Sequence, residues 1–407
     1  MFHALDTVEP EELQTRWDRI RGLLTRHAPE AQGLLVLSRT NIFWCSGHPA
    51  NGMLWLPLEG EPVLVVRKGI ERARMESPLR RIHFGRSFKD LPGLMSDLGY
   101  FLPECAAVEF SGLSWAMGRK LETRLQSWKL ADGDAILERA RSVKTQAELA
   151  TMRLAGERHR LCMEHGIPGC IRPGMSEREI GLAAWEEFFR EGSQGIVRMS
   201  GFGEELLLGH VSAGDSGNYP STLDAPVGLR GQHPSAPLLG YAGKTWQQGE
   251  ILILDTVFFL NGYHTDKTQL FFAGRGDDVP SQARSAHAFC MELQRSAGEM
   301  LRPGVTPAEV YEHCRGEARR RCFEEGFMGL GGNKVPFVGH GIGLFLDEYP
   351  PLAEKFSEPL QEDMVLALEP KIGLPQMGMV GVENTFRVTP RGGESLTGGS
   401  GELIPLE

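Results

Sequence analysis

Ile251-Leu-Ile-Leu-Asp-Thr-Val-Phe-Phe-Leu260, Asn261-Gly262 and Tyr263-His-Thr-Asp-Lys-Thr-Gln-Leu-Phe-Phe-Ala273 form one continuous stretch. The first segment is an apolar strand interrupted once, at Asp255. Asn-Gly between two apolar runs is the strongest short-range signal for a β-hairpin. A two-residue turn there pairs Leu260 with Tyr263, sets Asp255 opposite Thr268, and places Asp266 two residues along on the same face. Diagonal neighbours of this kind are roughly 7–8 Å apart, within reach of side chains. Two carboxylates on an apolar sheet repel each other and resist desolvation. They call for a cation.

A second hairpin repeats the pattern. Asp363-Met-Val-Leu-Ala-Leu-Glu-Pro370 and Met379-Val-Gly-Val-Glu-Asn-Thr-Phe-Arg-Val388 flank a turn near Leu374–Gly378, and a five-residue turn sets Glu369 opposite Glu383. Between the hairpins lies Phe337-Val-Gly-His-Gly-Ile-Gly-Leu344, where the small neighbours of His340 permit close approach to a site. Any one of these acids alone reads equally well as a turn or edge residue. Together, the four carboxylates match the charge of two divalent ions, and the imidazole suits Mn, Fe, Co or Zn better than Ca or Mg. Two such ions about 3.5–4 Å apart share a bridging hydroxide, a strong nucleophile at neutral pH.

Outward from the hairpins, Arg172-Pro-Gly-Met-Ser-Glu-Arg-Glu-Ile180 resembles Arg302-Pro-Gly-Val-Thr-Pro-Ala-Glu-Val310. In each copy a glycine turn precedes a capping-box pattern, Ser176 with Glu179 and Thr306 with Glu309. Helical patterns flank both copies, over 147–164 and 177–190, and over 281–300 and 307–325. The reading is two similar α/β halves about a pseudo-two-fold axis, with an active-site cleft between them. Residues 199–249, rich in Gly, Ser and Pro, show no clean period and read as a functional loop or lid. The N-terminal region alternates helix and strand: a helix over 11–27 and strands over 33–37, 62–67 and 106–110. It reads as a structural or substrate-gating domain.

Composition bounds the function. The chain has 407 residues, enough for two domains, with 41% apolar and 24% charged residues. Lys and Arg total 43 against 53 Asp and Glu, a net charge of −10, which argues against nucleic-acid or anionic-membrane partners. Seven cysteines without a C-x-x-C pair read as reduced thiols of a cytoplasmic protein. The acidic N-terminus lacks a signal-peptide pattern, and no apolar run approaches the ~20 residues that span a bilayer.

Asp255, Asp266, His340, Glu369 and Glu383 resemble, in order, the Asp, Asp, His, Glu, Glu ligand set of the pita-bread metallohydrolases (methionine aminopeptidase, aminopeptidase P, prolidase and creatinase). Gly262-Tyr263-x-x-Asp266, Gly339-His340-Gly-Ile-Gly343 and Val382-Glu383-Asn384 resemble the motifs around those ligands, and Asn41-Ile-Phe-Trp-Cys-Ser-Gly47 resembles a segment of the prolidase and creatinase N-terminal domain. The resemblance implies an α/β (α+β) fold: a creatinase-like N-terminal domain over 1–138 and a pita-bread catalytic domain over 139–407. It implies two divalent ions, a homodimer, a small peptide or amide substrate, and Xaa-Pro dipeptidase-like chemistry with Glu369 shuttling a proton. Creatinase-like cleavage of a non-peptide C–N bond, a lyase reaction and a non-catalytic binding module are the alternatives.

The chain departs from the pattern at three places. Where peptidases carry a second histidine seven residues after the ligand one, this chain has Asp347, which cannot donate a hydrogen bond when ionised. The family histidine shortly before the first Asp is missing, leaving His233 and, farther off, His210 as candidates. Gly381 replaces the arginine often found two residues before the last Glu. Asp347 is expected to select substrate, and His264 and His233 are further catalytic candidates.

Overall fold

The computed structural model describes residues 6–236 and 239–407. Residues 1–5 of the acidic N-terminus and residues 237 and 238 of the irregular stretch lie outside the described residues. The chain divides into two compact units, Met1–Arg141 and Ser142–Glu407.

The first unit is built on a mixed sheet of β1 (Gly33–Val36), β2 (Gly52–Pro57), β3 (Val63–Val66), β4 (Ile82–Phe84), β5 (Cys105–Val108) and β6 (Lys129–Asp132), in the order β4-β3-β2-β1-β5-β6. Strands β1, β2, β3 and β5 are short, apolar and largely buried, and Leu35, Val65, Val108, Leu91 and Leu121 share one core. The helix expected over 11–27 spans Pro10–His27.

The second unit contains the repeat. Helices Gln146–Leu161 and Glu177–Arg190 serve one half, Ser281–Met300 and Pro307–Arg320 the other. Both capping boxes form, and Gly174 and Gly304 take left-handed φ values of +93° and +96°, which glycine adopts without steric cost. The first half carries a sheet of β7 (Gly209–Ala213), β8 (Ile251–Leu260), β9 (Tyr263–Ala273) and, near the C-terminus, a last strand at Ile404–Leu406. The second half carries β10 (Gly339–Gly341), β11 (Val365–Leu368), β12 (Lys371–Leu374), β13 (Gly378–Gly381), β14 (Asn384–Thr389) and β15 (Gly392–Ser395), as a four-stranded sheet β10-β11-β14-β15 and a separate pair β12-β13.

Strand β8 is apolar on both faces because both are covered. Leu252, Leu254 and Phe258 join the core of the first half, with Ile180 and Phe188. Ile251 and Ile253 join the core of the second half, with Phe289, Leu366 and Val380. Asp255 follows Ile251 and Ile253 at the same period, so it faces the second half. The α/β pita-bread architecture is therefore what positions the acids.

Two expectations need correction. The 199–249 stretch is not all loop, because β7 pairs antiparallel with β8 inside it. Its sequence, Gly-His-Val-Ser-Ala, is too polar and short to show a period. The second hairpin is not one ladder: β11 pairs with β14 and β12 with β13, both in the expected register, but pairing breaks at Glu369-Pro370 and Val382-Glu383. Proline has no N–H to continue a ladder. At the break Glu383 pairs instead with Thr268 of β9, joining the two halves. Among the described residues no helix is long and apolar enough to cross a membrane, and all seven cysteines are free.

Candidate metal centre

Asp255 sits opposite Thr268, and Leu260 opposite Tyr263, as the Asn-Gly turn requires. Asn261 and Gly262 both have positive φ, the signature of the tight hairpin turn. On β9, Asp266 and Thr268 therefore share the face of Asp255. The backbone N–H of Asp266 donates to Thr385 Oγ1 at 2.9 Å, and that hydroxyl donates to the Asp266 carbonyl at 3.0 Å, fastening β9 to β14. Glu383 arrives through the break in the second ladder. His340 arrives on β10, opposite Ala367 of β11, with its Nδ1–H donating to the Gly341 carbonyl at 3.0 Å. That bond leaves Nε2 as the nitrogen that could ligate a metal.

All five expected ligands converge. His340 Nε2 lies 3.9 Å from both Asp266 Oδ2 and Glu369 Oε1. Ligand atoms of Asp266, His340 and Glu383 lie within 4.8 Å of one another. The Thr268 hydroxyl stands between the acids, 2.8 Å from Asp255 Oδ1 and 3.1 Å from Glu383 Oε2.

A sixth group, absent from the sequence reading, shares the site. Lys371 is fully buried, and its Nζ donates to Glu383 Oε2 at 2.6 Å, Glu369 Oε2 at 2.8 Å and Asp255 Oδ2 at 3.1 Å. The signal was available: Lys371 is two residues from Glu369 on extended chain, hence on the same side. Its facing residue is Gly381. A Cβ there would stand 2.7 Å from both Cα and Cγ of Lys371, so only a missing side chain leaves the lysine room.

The charges respond to their surroundings. Burial alone would raise the Asp255 carboxyl, but the Lys371 ammonium, with hydrogen bonding, holds it below the usual carboxylate range. Burial raises Asp266 and Glu383 well above that range, reinforced by neighbouring carboxylates. Burial would also lower Lys371, yet Asp255, Glu369 and Glu383 together drive it well above its ordinary value. Carboxyls that resist ionisation so strongly are groups that a cation would stabilise.

The donor set fits one divalent ion. Asp266, His340 and Glu383 supply oxygen and nitrogen donors around one position, and Glu383 Oε1 is buried with no hydrogen-bond partner. Asp255 and Glu369 instead turn oxygens toward the lysine.

Of the other candidates, Asp347 accepts from Ser200 N–H and Oγ–H, each at 2.7 Å, one bond per carboxylate oxygen. It anchors the 198–200 segment, a role the expected substrate selection did not anticipate. His264 is buried, its Nδ1 2.8 Å from the Gly343 carbonyl and its Nε2 accepting from the Arg198 N–H at 3.1 Å. Burial drops it to about 4. Both ring nitrogens are engaged, so the ring braces the 198 and 343 segments against each other. His233 lies exposed, its Nδ1 2.7 Å from Ser235 Oγ, and no contact with the cluster is found among the described residues. His210, by contrast, is buried on β7 directly opposite Asp255, with Nδ1 2.9 Å from the Val227 carbonyl.

Residues 150–390 match the model of metallopeptidase family M24, and residues 16–143 match the creatinase/prolidase N-terminal domain. The Xaa-Pro dipeptidase of Pyrococcus furiosus is 24% identical over 374 residues, covering 91% of this chain and 94% of that protein. Among solved structures, dipeptidase PepE of Mycobacterium ulcerans superposes with a TM-score of 0.78 at 21% identity, covering 98% of this chain and all of the other. The X-Pro aminopeptidase of Thermotoga maritima gives 0.76 at 20% identity, covering 96% and 99%.

Proposed function

Because this chain belongs to metallopeptidase family M24, we propose that it hydrolyses the amide bond of small peptides, Xaa-Pro dipeptides first among them, with Mn, Co, Fe or Zn as cofactor and as a homodimer. The observation that carries the reading is the meeting of Asp266, His340 and Glu383 around one position, with Glu369 alongside. A divalent ion there supplies a polarising charge and makes water a competent nucleophile at neutral pH. The substrate class follows the relatives named Xaa-Pro dipeptidase.

The residues divide the remaining work. Glu369 takes a proton from the attacking water at Oε1 and returns it to the leaving nitrogen. Its other oxygen is held by Lys371, so the carboxylate keeps one orientation. The Thr268 hydroxyl lies within hydrogen-bond distance of both Asp255 and Glu383 and gives its one proton to one or the other, nearer to Asp255. A second reading, hydrolysis of a non-peptide C–N bond, is favoured by Asp347, which stands where a donor imidazole was expected and is committed to Ser200.

The test is to load purified protein with each metal and assay Xaa-Pro dipeptides, other dipeptides and small amidines. Turnover of at least one Xaa-Pro dipeptide is expected, with Glu369→Gln lowering kcat by about 10²–10⁴ at little change in KM. Turnover of amidines alone selects the second reading. No turnover with any metal contradicts both.

A further inference from the structure

We propose that the Lys371 ammonium takes the place of one of the two cations that the four carboxylates call for, so that the chain holds a single divalent ion, at Asp266, His340 and Glu383. This inference rests on the same cluster being a metal site, and not on the identity of the substrate.

An ammonium has three protons to donate. Lys371 directs them to three different carboxylates at 2.6, 2.8 and 3.1 Å, a complete set. What remains for ions is correspondingly small. Asp255 has both oxygens engaged, Oδ1 by Thr268 and Oδ2 by Lys371. Glu369 and Glu383 each give Oε2 to the lysine. The unspent donors are Glu383 Oε1, Glu369 Oε1, the Asp266 carboxylate and His340 Nε2. Among these, Asp266, His340 and Glu383 close around one position. A second ion beside Asp255 would have to share oxygens that already accept from Thr268 and Lys371, and would sit against the Lys371 positive charge in a buried site where screening is weak.

The lysine has nowhere else to go. Its backbone is paired with Gly381 and its carbonyl accepts from Met328 N–H at 2.9 Å, so the side chain starts from a fixed point. The side chain is fully buried and lies so close to Gly381 that a Cβ there would meet its Cγ at 2.7 Å. The cation thus lies among the carboxylates themselves.

The experiment counts ions without assaying turnover. Metal-stripped protein is titrated with Mn(II) by calorimetry, and the bound metal is measured by elemental analysis after desalting. The wild type is expected to bind one Mn(II) per chain and to give the six-line electron paramagnetic resonance spectrum of an isolated ion. Lys371→Met, which keeps length and removes charge, is expected to bind two and to show an exchange-coupled pair. Two ions or none in the wild type overturns the proposal, as does a folded Lys371→Met protein that stops at one. Should that variant fail to fold, the wild-type count and spectrum decide alone. A chain that binds one ion yet hydrolyses no peptide defeats the functional reading only, and a peptidase with two ions defeats this inference only.

Discussion

His159 is fully buried, with Nδ1 3.2 Å from Thr265 Oγ1 and Nε2 3.1 Å from Thr256 Oγ1. Burial, helped by the Lys267 ammonium, holds it well below the ordinary histidine value near 6.5, against a smaller opposing pull from Asp255. A depressed folded-state value means that the unfolded chain takes up a proton first. Stability is therefore fully present above about pH 6.5 and falls below it, by up to about 1.4 kcal/mol per pH unit for one proton. Thermal unfolding of His159→Gln from pH 7.5 to 5 is expected to show a shallower acid decline than the wild type. Parallel curves would remove His159 from the account. The meeting of the acids was legible because four carboxylates on two matched hairpins are anomalous together, although each alone reads equally well as a turn or edge residue. Roles of the imidazoles were not, because His264 lies two residues from a ligand in sequence yet spends both nitrogens on Gly343 and Arg198. Lys371 escaped for the opposite reason: a single lysine in a strand looks like solvent decoration until its neighbours are known. Glu348 shows the same limit, a buried partner of Lys144 at 3.0 Å that also accepts from the N–H groups of Leu344 and Phe345 and so shapes the segment after His340.

At the scale of elements, turn chemistry carried most of the legible information. Asn261-Gly262 set the β8–β9 register to the residue, and the five-residue turn did the same across both parts of the second hairpin. What it did not carry was the break at Pro370, which frees Glu383 to pair with β9. Strand β7 was hidden because its five residues carry a single branched side chain, Val211, and are too few to stand out from a Gly- and Ser-rich stretch. The repeated capping boxes, by contrast, were readable because two residues three positions apart suffice to specify them. In the second copy the Thr306 hydroxyl receives the N–H of Glu309 at 3.2 Å, and the Glu309 carboxylate receives the N–H of Thr306 at 2.7 Å. Thr306→Ala is expected to cost about 1 kcal/mol in denaturant unfolding, with an unchanged m-value. A loss below about 0.3 kcal/mol would show that the helix Pro307–Arg320 is held by its packing alone.

On the scale of the whole second unit, the site exists because two α/β halves share the β8–β9 hairpin between their cores. One face of that hairpin completes the first half. The other carries Asp255, Asp266 and Thr268 against Glu369, Lys371 and Glu383 of the second. Neither half holds the full donor set, so the centre is complete only where the two halves meet. Four carboxylates buried together require positive charge, and the chain provides part of it covalently. The most direct test is a crystal of Mn(II)-loaded protein measured at the manganese absorption edge. The account predicts one anomalous peak per chain, within about 2.3 Å of Asp266, His340 and Glu383 ligand atoms, with the Lys371 side chain in its own density among Asp255, Glu369 and Glu383. Two peaks in the cluster, or a single peak away from those three ligands, would contradict it.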